Sequence, residues 1–159
     1  YMKECDQCYA ETKYGRRCRR TTCIQYPYCW MHMKMIYGVQ VKNSEISNAG
    51  KGLFATKSVK KNKTITHYSS KEVSNQVDKN SKYVLQLGPR RFLDSQNKLN
   101  FVGRYINSNK GTRKKGNVRF SRGTKTYPQF GRETVPVKTT RKVKKGVELI
   151  ANYGKQFEL

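Results

Sequence analysis

The sequence predicts a mainly β domain that follows a short cysteine-rich module. Two observations indicate this. All five cysteines, together with His32, fall within the first 32 of 159 residues, and short apolar stretches separated by turn residues fill the remainder. A chain of this length can bury one ordinary core and a small appendage. The change in composition near Gly38 divides it into a module at residues 1–38 and a domain at residues 39–159.

The elements of the domain follow from the spacing of apolar and turn residues. Strands are predicted at residues 39–41, 53–55, 65–68, 83–87, 92–93, 118–120, 135–137 and 148–152. Only two short helices are expected, at residues 30–37 and 100–106. Residues 109–116 and 123–133 are rich in glycine and polar side chains and are expected to form exposed loops.

The charge of the chain is strongly positive, because 34 lysines and arginines face only 10 aspartates and glutamates, a formal net charge of +24. Such a field attracts polyanions, so DNA or a nucleosome is an expected partner. No apolar run approaches the roughly 18 residues of a membrane span, and no signal peptide is recognisable. We therefore expect an intracellular protein that is neither secreted nor bound to a membrane.

The cysteines have the spacing of a structural metal site. Cys8 and Cys18 flank a turn at Gly15, while Cys29 and His32 lie three residues apart. Three thiolates and one imidazole would close a tetrahedral zinc site, whose binding energy would fold a segment too small to fold by burial. The spacing alone leaves the ligands open, since Cys5-Asp6-Gln7-Cys8 is also a zinc-knuckle spacing and Cys23 could replace Cys18.

The pattern around these cysteines has a known counterpart. Cys8-x-Ala10-x-Thr12, Gly15-x-Arg17-Cys18-x-Arg20 and Tyr28-Cys29-Trp30-x-His32 together resemble a small cysteine/histidine module that recurs in proteins of large DNA viruses and protists. The resemblance implies Cys8, Cys18, Cys29 and His32 as the zinc ligands. Arginines 16, 17, 19 and 20 surround this pattern, where contacts to phosphate are easy to make.

Three further motifs follow in a fixed order. They are Gly50-Lys51-Gly52-Leu53-Phe54-Ala55, the stretch from Asp94 to Asn107, and the stretch from Val135 to Gly154 that ends in Asn152-Tyr153-Gly154. In this order they resemble the SET domain of protein lysine methyltransferases. The resemblance implies a fold of several small sheets with a threaded C-terminal knot, and S-adenosylmethionine as the methyl donor.

The resemblance also implies roles for individual residues. The cofactor contacts would be Lys51, Gly52, Leu53, Arg104, Asn107 and Tyr153. The catalytic tyrosine would be Tyr153, with Tyr68 and Tyr83 lining the channel that admits the substrate lysine. Desolvation in such a channel disfavours the lysine ammonium, whose ordinary pKa is about 10.4, so that a neutral amine can attack the methyl group.

Two positions depart from the family pattern. Ser108 stands where the family usually has a histidine after the motif asparagine, which affects the expected adenine contact. Ala151 replaces a common phenylalanine or tyrosine, and the roomier channel is expected to favour higher methylation states.

Two functions from different classes follow. The first is a protein lysine methyltransferase acting on a histone or another basic chromatin-associated protein, in a nucleus, a viral factory or a virion. The alternative is a SET-fold protein with weak or no catalysis that acts as a basic module binding nucleic acid or nucleosomes.

Overall fold

The structure is a computed structural model, which describes residues 5–23, 28–68, 71–73, 84–88, 91–94, 102–121, 125–127 and 132–152. Its strands are β1 (Cys5–Gln7), β2 (Thr21–Cys23), β3 (Val39–Asn43), β4 (Lys51–Ala55), β5 (Thr64–Tyr68), β6 (Lys71–Val73), β7 (Val84–Gly88), β8 (Arg91–Asp94), β9 (Asn107–Ser108), β10 (Val118–Phe120), β11 (Lys125–Tyr127), β12 (Arg132–Thr139) and β13 (Ile150–Ala151). The described helices are α1 (Trp30–Tyr37) and one 3₁₀ turn (Val102–Tyr105). The mainly β prediction is confirmed.

The cysteine module is an antiparallel hairpin followed by α1. Strand β1 pairs with β2 so that Cys5 lies opposite Cys23, and the pairing continues beyond the strands through the Glu11–Arg17 bridge. Helix α1 ends at Gly38, whose φ of 65° is left-handed and whose N–H donates to the carbonyl of Lys34 at 3.0 Å. A glycine at this position carries no Cβ penalty, so it stops the helix and turns the chain into β3.

The largest described sheet has the order β11-β12-β10-β13-β9, and β5 also pairs with β12. The C-terminal strand β13 is inserted between β10 and β9 and runs parallel to both. Strands β3 and β4 form a separate hairpin, and β6, β8 and β7 form a third small sheet. Several small sheets with a late segment inserted between earlier strands match the expected architecture.

Two hydrophobic clusters lie beneath these elements. The larger one joins β4, β5, β10 and β12 to the end of α1, with Leu53, Val135 and Val137 completely buried. Strand β5 is buried from Ile65 to Tyr68, so both of its faces are covered. The smaller cluster consists of Cys8, Ala10, Cys18 and Cys29, which is too little apolar surface to stabilise a fold by itself.

Three sequence predictions needed correction. The expected loop at 123–133 contains β11, whose backbone pairs with β12 from Thr134 to Arg132. The expected strand at 148–152 is reduced to Ile150–Ala151, because Glu148 makes only an isolated bridge to Phe54. Within the described part of the expected helix at 100–106, residues 102–105 form a 3₁₀ turn.

No helix in the described part of the chain has the length and apolar character needed to cross a membrane.

Candidate functional site

Three segments that the sequence predicts on the cofactor side meet in the structure. Strand β13 pairs with β9, placing Ile150 opposite Asn107 and Ala151 opposite Ser108. The Asn107 side-chain amide donates to the carbonyl of Lys51 at 2.9 Å, which joins β9 to β4. The N–H of Leu149 donates to the carbonyl of Leu53 at 2.7 Å, which joins the residue before β13 to the same strand.

Glu148 lies at the centre of this junction with only 3% of its surface exposed. One carboxylate oxygen, Oε1, accepts from the Ser44 hydroxyl at 2.7 Å and from the Asn107 amide at 3.3 Å. The other, Oε2, accepts from the backbone N–H of Glu45 at 2.9 Å. Hydrogen bonds of this kind are needed to keep a carboxylate charged inside a protein.

Gly52 is required by the same carboxylate. A Cβ added at this position would collide with Glu148 Oε1 and would lie 3.2 Å from the Cα of Ser44. The glycine therefore allows the β4 backbone to approach the buried carboxylate closely. Lys51 beside it is exposed, and Leu53 on its other side is completely buried.

The carboxylate at this junction suits the ammonium and sulfonium of S-adenosylmethionine, whose methionine portion carries these two cations and one carboxylate. Glu148 is the single buried acidic side chain among the residues whose burial the structure describes. In a chain of net charge +24, it supplies negative charge next to Gly52 and Asn107. Buried negative charge close to backbone carbonyls is what a cationic ligand needs.

The residues expected on the channel side are described only in part. Tyr68 is 3% exposed at the end of β5, and its ring packs edge-on against Phe120 with centroids 5.6 Å apart. Tyr83 and Tyr153 lie outside the described residues. Ala151, two residues before Tyr153, is completely buried in the larger cluster.

The 3₁₀ turn packs tightly on β5. A Cβ at Gly103 would lie 2.6 Å from the carbonyl oxygen of His67, so only glycine permits this approach. The neighbouring Arg104 is half-buried, with its guanidinium carbon 5.2 Å from the centre of the Tyr105 ring. Ser108 is half-buried and its hydroxyl accepts from the N–H of Lys110 at 3.1 Å.

A second candidate site lies in the cysteine module. The ligand atoms of Cys8, Cys18, Cys29 and His32 all lie within 4.8 Å of one another, and all four residues are buried. Nδ1 of His32 is 3.3 Å from Sγ of Cys29 and 3.7 Å from Sγ of Cys8. Ligand atoms around a tetrahedral zinc are about 3.5 to 3.8 Å apart, so the group fits that ion.

The surroundings of the sulfurs suit thiolate ligands. Burial raises the pKa of the Cys8 thiol. Burial also opposes ionisation of Cys29, but hydrogen bonds from the His32 backbone and the Cys8 side chain outweigh it, so the pKa of Cys29 is lowered. Backbone N–H groups point at two sulfurs, that of Cys29 at Cys8 Sγ (3.2 Å) and that of Arg20 at Cys18 Sγ (3.5 Å). A metal would remove the cost of burying these thiolates.

Two residues that were not among the predicted site residues hold the first site together. Glu148 is one. The other is Asn117, whose side-chain amide donates to the Glu148 carbonyl at 2.8 Å and whose oxygen accepts from the Ile150 N–H at 2.8 Å. The available signal was a glutamate inside the apolar run Val147-Glu148-Leu149-Ile150, in a chain with few acidic residues. An isolated charge in such a run is often buried and paired.

Comparison with known proteins gives one family and one fold. The family described as SET domain matches residues 50–154. No curated protein sequence matches the chain significantly.

Several solved structures of polycomb complexes are similar to this chain. One is ctPRC2 in an autoinhibited conformation bound to S-adenosylmethionine, which is 20% identical with a TM-score of 0.60. The match covers 77% of this chain and 16% of that chain. The Chaetomium thermophilum polycomb repressive complex 2 matches at 22% identity, TM-score 0.57, 75% of this chain and 15% of that one. An active polycomb repressive complex 2 in the stimulated state is 20% identical with a TM-score of 0.56, and the match covers 73% of this chain and 15% of that chain. The chain thus spans about one sixth of the proteins that it resembles.

Proposed function

The chain belongs to the SET-domain family, and from that premise we propose that it is a protein lysine methyltransferase with S-adenosylmethionine as methyl donor. One observation carries the proposal. Gly52 and Asn107, which the family resemblance assigns to the cofactor, meet at the buried carboxylate of Glu148, and Asn107 also pairs with the start of β13. The ctPRC2 structure with the same fold binds S-adenosylmethionine.

The cofactor, when bound, supplies a methyl group activated by an adjacent sulfonium. The contribution of this chain is to hold and orient the reactants. Glu148 and the carbonyl of Lys51 lie where they attract the cationic methionine portion, and Asn107 fixes both. Tyr68, Tyr83 and Tyr153 are proposed to line the lysine channel, where a dry aromatic wall lowers the pKa of the lysine ammonium. Alignment of amine and methyl group, which we assign to the hydroxyl of Tyr153, supplies most of the rate.

The proposed substrate is a lysine of a histone or another basic protein held near DNA. The similar structures are polycomb complexes, and the net charge of +24 would retain the protein on nucleic acid. A nucleus or a viral factory would be the corresponding location. With alanine at position 151 we propose that di- and trimethylated products accumulate, which mass spectrometry over a time course would detect.

The cysteine module is proposed to bind one structural zinc through Cys8, Cys18, Cys29 and His32. The mutual distances of the four ligand atoms support this assignment. All four are protein ligands, so the site has no open position for catalysis.

The experiment has two parts. Calorimetry measures binding of S-adenosylmethionine to the full chain, and a labelled-methyl assay uses nucleosomes, free histones and the protein alone. We expect micromolar cofactor affinity and methyl transfer to one of these acceptors. A Tyr153→Phe variant keeps the aromatic ring expected to contact the cofactor and removes only the orienting hydroxyl, so it should lose transfer by at least about tenfold. A chain that binds no cofactor contradicts the proposal.

One observation favours a second function. Ser108 occupies the position where the family usually has histidine, and its hydroxyl is engaged by the N–H of Lys110. If this change abolishes cofactor binding, the chain is a SET-fold protein that binds nucleic acid or nucleosomes through its charge. It would then show salt-sensitive DNA affinity without methyl transfer.

A further inference from the structure

The cysteine module exposes large aromatic side chains that a folded surface usually covers. Tyr9 is 57% exposed, Tyr14 76% and Trp30 64%. With Met35 and Ile36 they make up five of the six exposed large hydrophobic side chains among the residues whose burial the structure describes, and the sixth is Val147. Concentration of such side chains within 28 consecutive positions, from residue 9 to 36, indicates a contact surface.

Each exposed ring has a cation close to it. The guanidinium of Arg17 is 4.6 Å from the Tyr9 centroid, and the Lys13 ammonium is 5.0 Å from that of Tyr14. Trp30 has two, the guanidinium of Arg20 at 5.7 Å and the ammonium of Lys34 at 5.4 Å. The rings remain more than half exposed despite these neighbours. The surface therefore offers aromatic area and positive charge at the same points.

The hairpin holds Arg17 in place. Arg17 donates through Nε to the Cys8 carbonyl at 3.0 Å and through a terminal nitrogen to the Gln7 carbonyl at 2.7 Å. Tyr9 follows Cys8 and Trp30 follows Cys29 in the chain, and the sulfurs of these cysteines belong to the compact ligand group. Rings attached next to fixed points lose little conformational entropy when a ligand covers them.

We propose that this surface, formed by Tyr9, Trp30, Arg17, Arg20 and Lys34, binds single-stranded nucleic acid. Unpaired bases stack on the two rings, and the cations contact the phosphates between them. A duplex covers its base faces by its own stacking and offers only phosphates and groove edges. An acidic peptide satisfies the cations but leaves the rings without a stacking partner. The proposal is independent of methyl transfer.

Trp30 is the only tryptophan in the 159 residues, so its fluorescence reports on the proposed contact. A 12-nucleotide oligothymidine titrated into the full chain is expected to quench this emission. Anisotropy of the labelled oligonucleotide then measures affinity for each variant. Trp30→Ala and Tyr9→Ala are expected to weaken binding about 5- to 150-fold, while Trp30→Phe, which keeps a ring, loses much less.

Two controls separate stacking from charge and from general surface loss. Met35→Ala removes an equally exposed side chain from the same helix without removing a ring, and its affinity should stay within about twofold of wild type. Arg20→Gln and Lys34→Gln should each reduce the slope of log affinity against log salt by about 0.7. Trp30→Ala should weaken binding at every salt concentration without changing that slope.

Several results would overturn the proposal. Unchanged tryptophan emission on binding would show that the ring is not contacted. Equal losses for Trp30→Ala and Met35→Ala would remove the stacking argument. Tighter binding of a duplex of the same length, or of polyglutamate, would assign the surface to that other class of partner. Metal content and circular dichroism of each variant identify one that has merely failed to fold, and Trp30→Phe then provides the decisive comparison.

Discussion

The carboxylate of Glu148 is buried in a chain that has few acidic residues, and its three hydrogen-bond donors come from separate segments. Ser44 and Glu45 belong to the turn after β3, and Asn107 belongs to β9. The backbone carbonyl of the same residue accepts from Asn117. A single glutamate therefore connects β9, which is proposed to bind the cofactor through Asn107, to the turn after β3 and to Asn117.

Glu148→Gln tests this role. The substitution keeps the shape but removes the charge, and an amide presents only one acceptor oxygen where two are used. Hydrogen bonds to a charged group contribute about 1.5–3 kcal/mol, so we expect cofactor affinity to fall by about 10- to 100-fold. Calorimetry of S-adenosylmethionine binding measures this change.

The matched control is Glu45→Gln. The Glu45 side chain is exposed, and its carboxylate pairs with the Lys114 ammonium at 3.0 Å. Glu45→Gln therefore removes the same charge at a position where solvent screens it. Its cofactor affinity should remain within about twofold of wild type. If both variants lose affinity equally, general electrostatics and not the buried junction controls binding.

At the scale of elements, the strands were predictable where a short apolar run ends at turn residues. The predicted strand at 118–120 coincides with β10, and the helix at 30–37 coincides with α1. What escaped prediction depends on partners that are distant in sequence. Strand β11 carries the polar sequence Lys125-Thr126-Tyr127 and exists through pairing with β12. Strand β9 has two residues and is held by β13, more than forty positions away.

The two candidate sites also differ in how far the sequence predicted them. Short-range spacing and a resemblance indicated Cys8, Cys18, Cys29 and His32, and the fold brings these four together. The role of Glu148 could not be read locally, because the partners of its carboxylate are 41 to 104 positions away along the chain. Periodicity reports which face a residue occupies and says nothing about which distant segment will lie against it.

Metal removal should unfold the cysteine module and leave the larger β domain folded. The module buries mainly its proposed ligands, so its order depends on the metal, whereas the larger cluster is apolar. Purified protein is expected to contain one zinc per chain by mass spectrometry. A strong chelator should change the Trp30 fluorescence and the circular dichroism of the module and leave most of the β signal intact.

Ligand variants sharpen that test. Cys18→Ser and His32→Ala should each lose the zinc, whereas Cys5→Ser should retain it, because Cys5 lies in β1 outside the ligand group. Retention of a full equivalent of zinc by Cys18→Ser and His32→Ala would show that the ligands have been wrongly assigned.

At the scale of the whole molecule, the charge affects the choice of substrate. A chain of net charge +24 repels a free histone tail, which is also basic. DNA reverses the sign of the interaction, since a nucleosome is a polyanion that carries the same tails. The proposed enzyme should therefore act on nucleosomes much faster than on the isolated tail at low ionic strength.

Salt should move the two reactions in opposite directions. Raising the ionic strength from 20 to 150 mM shortens the screening length from about 20 to about 8 Å, so kcat/KM should fall on nucleosomes and rise on the free tail. A tail peptide whose basic residues other than the target lysine are replaced by glutamine is the matched control. With little charge to repel, its rate should barely depend on salt. Parallel salt dependence for nucleosome and free tail would mean that the positive surface does not select the substrate, and that recognition resides in the lysine channel.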